Sequence, residues 1–100
     1  MNRLKGLRCY LAGPIDHAED DGVGWRNNAK LWLEQRGVIP MDPCDKPTDD
    51  VEHREVGEEK VMLMKLKADR DFDELTRRMK AIAHVDLRML DRSDFVICYI

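Results

Sequence analysis

The stretch Arg8-Cys9-Tyr10-Leu11-Ala12-Gly13-Pro14-Ile15-Asp16 decides how this chain is read. Arg8 to Ala12 is a short run suited to a buried strand that opens the fold, and it passes straight into a Gly-Pro turn and an acidic segment. Proline fixes φ and withholds an N–H, so the chain must leave the sheet there. A glycine just past a strand carries no Cβ and lets the backbone pass close to a ligand. In open α/β sheets ligands bind beyond the carboxyl ends of the strands. The Gly13-Pro14 turn is therefore expected to border a site.

Working outward, Trp25, Ala29, Trp32 and Leu33 recur at helical spacing and predict an apolar stripe. Arg36 follows on the same face, where its stem can lie along the edge. Gly37 stands where a helix is closed by a glycine. Val38-Ile39-Pro40-Met41 reads as a second strand, and Pro40 places it near an edge. Together these segments predict a β-α-β unit with parallel strands and a right-handed crossover.

Asp42-Pro43-Cys44-Asp45-Lys46-Pro47 is again a loop at a strand's carboxyl end. From Asp49 to Asp71 the chain is dense in charge, with Val61, Met62, Leu63, Met64 and Leu66 embedded in it. One charged helix is expected here, with Asp49 and Glu52 as a weak capping box, then a break near Asp69-Arg70-Asp71. A further helix is expected from about Phe72 to Asp91, and Phe95 to Ile100 as a strand buried on both faces. The fold class is α/β, a doubly wound, flavodoxin- or Rossmann-like parallel sheet with flanking helices. Three strands are visible, and a charged helical insertion separates the second from the third.

The chain has 100 residues and a net charge of −3 that mixes both signs, which argues against nucleic-acid and membrane-surface partners. No apolar stretch approaches the roughly 20 residues needed to span a bilayer. The first seven residues lack the apolar core of a signal peptide. Cys9, Cys44 and Cys98 are odd in number and far apart, as reduced thiols in a cytoplasmic protein would be. Asp16, His17, Glu19, Asp20 and Asp21 lack the ligand spacing of a calcium loop, so a solvated acidic loop is expected and no metal. No cofactor fingerprint appears, since Gly22-Val23-Gly24 is too short for a dinucleotide motif.

Asp86 is the second informative residue. It falls on the stripe formed by Leu75, Met79, Ile82, Met89 and Leu90. A carboxylate on a core-facing stripe is costly unless paired or hydrogen-bonded. Two readings stay open: a structural aspartate bound to backbone N–H groups or a buried arginine, or an acid lining a pocket.

These residues bring a family into view. Tyr10 to Ile15, Trp25-Arg26, Asp42-Pro43 and Asp86 to Asp94 resemble the nucleoside 2-deoxyribosyltransferase family, including relatives that hydrolyse deoxynucleoside 5′-monophosphates, with phage-type members nearest. The resemblance covers both ends of the chain, and Thr48 to Asp71 adds little to it. It implies cleavage or transfer at the N-glycosidic bond of a 2′-deoxynucleoside or its monophosphate, through a glycosyl-enzyme formed by a glutamate. It further implies that Asp86 is catalytic, orienting or protonating the reacting groups. Tyr10, Gly13, Pro14, Ile15, Asp16, Trp25, Asp42 and Pro43 would then border a nucleoside or nucleotide. A homo-oligomer is expected, with the charged segment packing against a second copy or lidding the site.

One departure stands out. The family's glutamate follows the strand that here is Phe95 to Ile100, in a Gly-rich turn, and the sequence stops before that turn. Glu52, Glu55, Glu58, Glu59 and Glu74 are expected on helices and not in its place. An uncovered apolar strand at the end also suggests a chain lacking its C-terminal part. Two other classes compete with the enzyme reading: a non-catalytic nucleotide-binding or sensing module, and a small oligomeric assembly protein of the same fold.

Overall fold

The computed structural model describes residues 2–15, 19–46 and 54–99. Strand β1 (Arg8–Ala12) leads into helix α1 (Val23–Glu34) and strand β2 (Ile39–Met41). Helices α2 (Glu58–Ala68) and α3 (Phe72–Asp91) follow, and strand β3 (Phe95–Cys98) closes the order. The three strands form one parallel sheet in the order β2-β1-β3. The chain thus moves to one side of β1, then crosses back to the other. β2 is an edge strand, as Pro40 demands, and Pro40 pairs with Cys9.

Alternation along β1 separates its two faces. Cys9 and Leu11 are fully buried and pack with Leu33 and Val38, and Trp25, Ala29, Phe95 and Ile97 close around them. This is the α1 side. Arg8 and Tyr10 point to the other side with their partners Ile39 and Met41. There Met89 of α3 and Arg92 just after it approach and line a groove of about 430 Å³ along the β2 edge. The sheet is open and all parallel, with helices against both faces. The fuller doubly wound topology asks for more strands than these three.

Four expectations are corrected. Phe95 to Ile100 was expected as a strand buried on both faces, but β3 is an edge strand whose Val96 and Cys98 are exposed, because no further strand among the described residues pairs with it. Trp32 was expected in the α1 stripe, but it is 48% exposed and carries the Arg36 guanidinium 3.7 Å above its ring. A helix against a narrow sheet buries only the centre of its apolar face, and Trp32 lies on the rim. On α3 the buried residues are Ile82 and Met89, while Met79 and Leu90 stay largely exposed. The fourth correction concerns the helix expected from Asp49. Residues 47–53 lie outside the described residues, and Glu55 is not helical, since α2 begins at Glu58. Gly57 before it adopts φ +71°, a conformation L side chains rarely adopt, and this stops a helix from running through.

The break between α2 and α3 falls where the Asp69-Arg70-Asp71 cluster places it. Arg70 takes a left-handed conformation, and the Asp71 carboxylate accepts from the Glu74 N–H at the start of α3. No helix of the described residues is long and apolar enough to cross a membrane. The three cysteines are unpaired.

Candidate functional site

At the carboxyl end of β1 the chain is tied by a buried cation. Arg26 is fully buried. Its guanidinium donates to the Leu11, Gly13 and Gly22 carbonyl oxygens at 3.3, 2.9 and 3.1 Å. Those bonds run from α1 to the strand end, the turn and the residue before the helix. Gly22 has φ +76°, and a Cβ there would strike the Arg26 head and the Pro14 carbonyl. The sequence pattern assigned Arg26 no role, because a cation inside a helix start gives no periodic signal.

Packing itself requires a glycine at position 13. A Cβ at Gly13 would lie 2.7 Å from the Trp25 ring and 3.3 Å from the Tyr99 carbonyl. The space of the missing methyl is filled by the indole, which stacks on Tyr99 at 5.2 Å between centroids. Trp25 is half-buried and joins the core, and its indole N–H is buried without a hydrogen-bond partner among the described residues. Pro14 is exposed and Ile15 half-buried, while Asp16 lies outside the described residues. Of the acidic loop, Asp20 accepts from the Gly22 and Gly24 N–H groups at 3.0 and 2.8 Å. The backbone bonds from Gly24 and Gly22 hold its carboxyl below the usual carboxylate range.

The loop after β2 holds a second charged knot. Asp42 is only 5% exposed, lies 2.7 Å from Lys30 Nζ and 3.7 Å from Arg26 Nε, and accepts from the Cys44 N–H at 2.8 Å. Pro43 beside it is buried. Asp42 is thus committed to joining α1, the β1 turn and its own loop.

On the opposite sheet face, Lys46, Glu55, Asp86 and Tyr10 meet. The Lys46 side chain is 1% exposed, and its Nζ donates to the Pro43 carbonyl at 2.9 Å and to Glu55 Oε1 at 2.5 Å. It stands 3.2 Å from Asp86 Oδ1. That oxygen is itself buried and receives no well-aligned hydrogen bond, so Lys46 pairs with it by charge more than by a directed N–H. Burial, then the charges of Asp86 and Glu55, push the Tyr10 hydroxyl well above its ordinary range. Burial likewise raises the Glu55 carboxyl, against the hydrogen bond and charge of Lys46 that lower it. The Asp86 charge adds to the rise.

Asp86 therefore faces inward, as its place on the α3 stripe predicts. Its partner comes from the loop after β2, not from the Gly13 turn. Tyr10 and Asp86 are brought into one cluster, whereas Trp25 and Gly13 sit on the α1 side of the sheet. Glu55 and Lys46 are members that the sequence pattern missed. Gly57 was the one available signal, since it ends any helix before Glu58 and frees Glu55 to turn inward. The 430 Å³ groove lies along the β2 edge, towards Arg8 and Arg92, rather than at the Gly13 turn. Among the described residues no group of His, Cys, Asp and Glu side chains could hold a metal ion.

Fold and cluster together define an α/β protein with a mixed-charge carboxylate cluster on one face of a three-stranded parallel sheet. Comparison with known proteins finds no matching family model, no matching curated protein and no matching solved structure.

Proposed function

We propose that this protein cleaves or transfers the N-glycosidic bond of a 2′-deoxynucleoside or its 5′-monophosphate, on a doubly wound domain of which these strands form part. The observation that carries the reading is the inward placement of Asp86 beside buried Lys46 and Tyr10. The motifs Tyr10 to Ile15 and Asp86 to Asp94, in that order, add support from resemblance to nucleoside 2-deoxyribosyltransferases. A carboxylate with one cation and one phenol around it is equipped to orient a sugar or move a proton. Under this reading the substrate is a small nucleoside or nucleotide. The exposed apolar residues of α2, Val61 and Met64 among them, pack against a second copy in a homo-oligomer.

The test is chromatographic detection of free nucleobase from the four deoxynucleosides and their 5′-monophosphates, using the full-length protein. The ribo counterparts should react far more slowly. Positive charge builds on the sugar as the bond breaks, and an electron-withdrawing 2′-hydroxyl opposes it. Asp86→Asn keeps the shape but cannot transfer a proton, so turnover should fall about 10²–10⁴-fold with the fold intact by circular dichroism. Absence of base release from all eight substrates would leave a non-catalytic nucleotide-binding module as the better reading.

A further inference from the structure

Glu55 and Asp86 face the same cation. Two carboxylates gathered around one buried ammonium cannot both stay ionised cheaply. Lys46 supplies one positive charge and stands at 2.5 Å from Glu55 and 3.2 Å from Asp86. It can compensate one carboxylate, not two. With the Lys46 side chain 1% exposed, that compensation takes place away from bulk water.

Geometry fixes where the lysine spends its own bonds. Lys46 spends directed N–H bonds on the Pro43 carbonyl and on Glu55 Oε1, and Asp86 Oδ1 is left buried without a donor. The other groups facing this pair are Tyr10 from β1 and Cys44 from the loop after β2, both raised in the first place by burial and so held neutral. Neither competes for the charge. Glu55 comes from a non-helical segment and its side chain is 18% exposed, so it keeps an open side towards solvent.

We propose that Glu55 is the proton donor of this site: Lys46 bridges Glu55 and Asp86, one cation serves two carboxyl groups, and Glu55 holds a proton that it delivers to the nitrogen of the departing nucleobase. This rests on the N-glycoside reading above. The C1′–N bond breaks with its electron pair going to the base nitrogen, which takes the Glu55 proton. C1′ is taken up by an oxygen nucleophile. The water that finally frees the sugar gives up a proton to Glu55, which returns to its starting state.

Two measurements on the full-length protein test it. In a carbon-13 titration of labelled glutamate carboxyls, one resonance should titrate above the ordinary 4.5. It should vanish in Glu55→Gln and move downward in Asp86→Asn. Kinetically, Glu55→Gln should slow release of an ordinary purine by about 10²–10⁴-fold. It should hardly affect a 7-methylated deoxyguanosine, whose base already carries positive charge and needs no proton. Glu55→Asp, which keeps an acid, should recover part of the loss.

Equal slowing of both substrates would make Glu55 merely structural and overturn the proposal, as would a Glu55 carboxyl titrating in the ordinary range. That titration is read on the wild type, so it stands even where a variant fails to fold. If no substrate releases base, the donor role falls with the glycoside reading. The titration then still decides whether Glu55 holds its proton above the ordinary range.

Discussion

The β1–α1–β2 half and the α2–α3 half of this molecule are held by different forces. In the first, fully buried Cys9, Leu11 and Leu33 form an apolar core, and buried Arg26 and Asp42 tie its loops together. In the second, α2 has no buried residue at all, and α3 buries only Ile82 and Met89. Charged contacts fasten that half to the rest: Lys46 with Asp86 and Glu55, and Lys60 with Asp21. A core grips through area removed from water and is indifferent to pH. Ion pairs grip through protonation states and are not. The contrast places the candidate chemistry at the seam, where titratable groups already carry the docking.

Arg26→Leu should break the first half most severely. It strips donors from three carbonyl oxygens and leaves Asp42 with Lys30 as its remaining close cation. Removal of one partner from a buried charged network costs about 3–5 kcal/mol. Urea unfolding should show that loss, and Arg26→Lys should recover little of it because an ammonium lacks the planar fork. A loss below about 1 kcal/mol would mean the apolar core alone holds this half.

Lys46→Met sharpens the contrast from the other side. Two carboxyl groups lose their cation, yet they can answer by taking up protons, so a smaller cost of about 2–3 kcal/mol is expected. Amide hydrogen exchange should quicken in α2 and α3 and stay slow in β1 and α1. Uniform quickening across both halves would contradict the idea of a separately fastened helical pair. The cost should shrink on acidification, as the Glu55 carboxyl becomes neutral.

The smallest effect concerns acid sensitivity within α3. Hydrogen bonds from Arg77 and Arg78 lower the Glu74 carboxyl from 4.5 to about 2. A depressed folded-state value means stability that is present above pH 4.5 and lost as pH falls through about 2. Glu74→Gln should therefore lower the melting temperature slightly at pH 7, with the difference gone near pH 2. Glu55 has the opposite sign. Its raised value gives a contribution present below 4.5 that is lost as pH rises through the folded value. Melting curves of Glu55→Gln and Glu74→Gln across pH 2 to 8 should diverge from wild type in opposite directions.

Much of the frame was legible because it is periodic. β1, β2 and β3 follow from short apolar runs, the edge position of β2 from Pro40, and the α2–α3 break from Asp69 to Asp71. Asp86 was legible as an exception to a pattern, a charge where the stripe asks for an apolar residue. Arg26 was not, since a buried cation departs from any amphipathic template and is permitted only by three carbonyls that tertiary folding brings together. Trp32 misled for the complementary reason. Period alone puts it on the stripe, and the width of the sheet leaves it outside.

By itself the amino-acid sequence determined the element order, the parallel α/β class and the inward face of Asp86, because each depends on spacing within a single segment. The tertiary structure decided the rest of the candidate site. It gave the space at Gly13 to Trp25, committed Asp42 to Arg26 and Lys30, and turned Glu55 and Lys46 towards Asp86. Lys46 and Asp86 stand far apart along the chain and belong to different elements. Only the crossing of the chain from β2 back over β1 brings them to 3.2 Å. Charges meet through topology, which no local periodicity encodes.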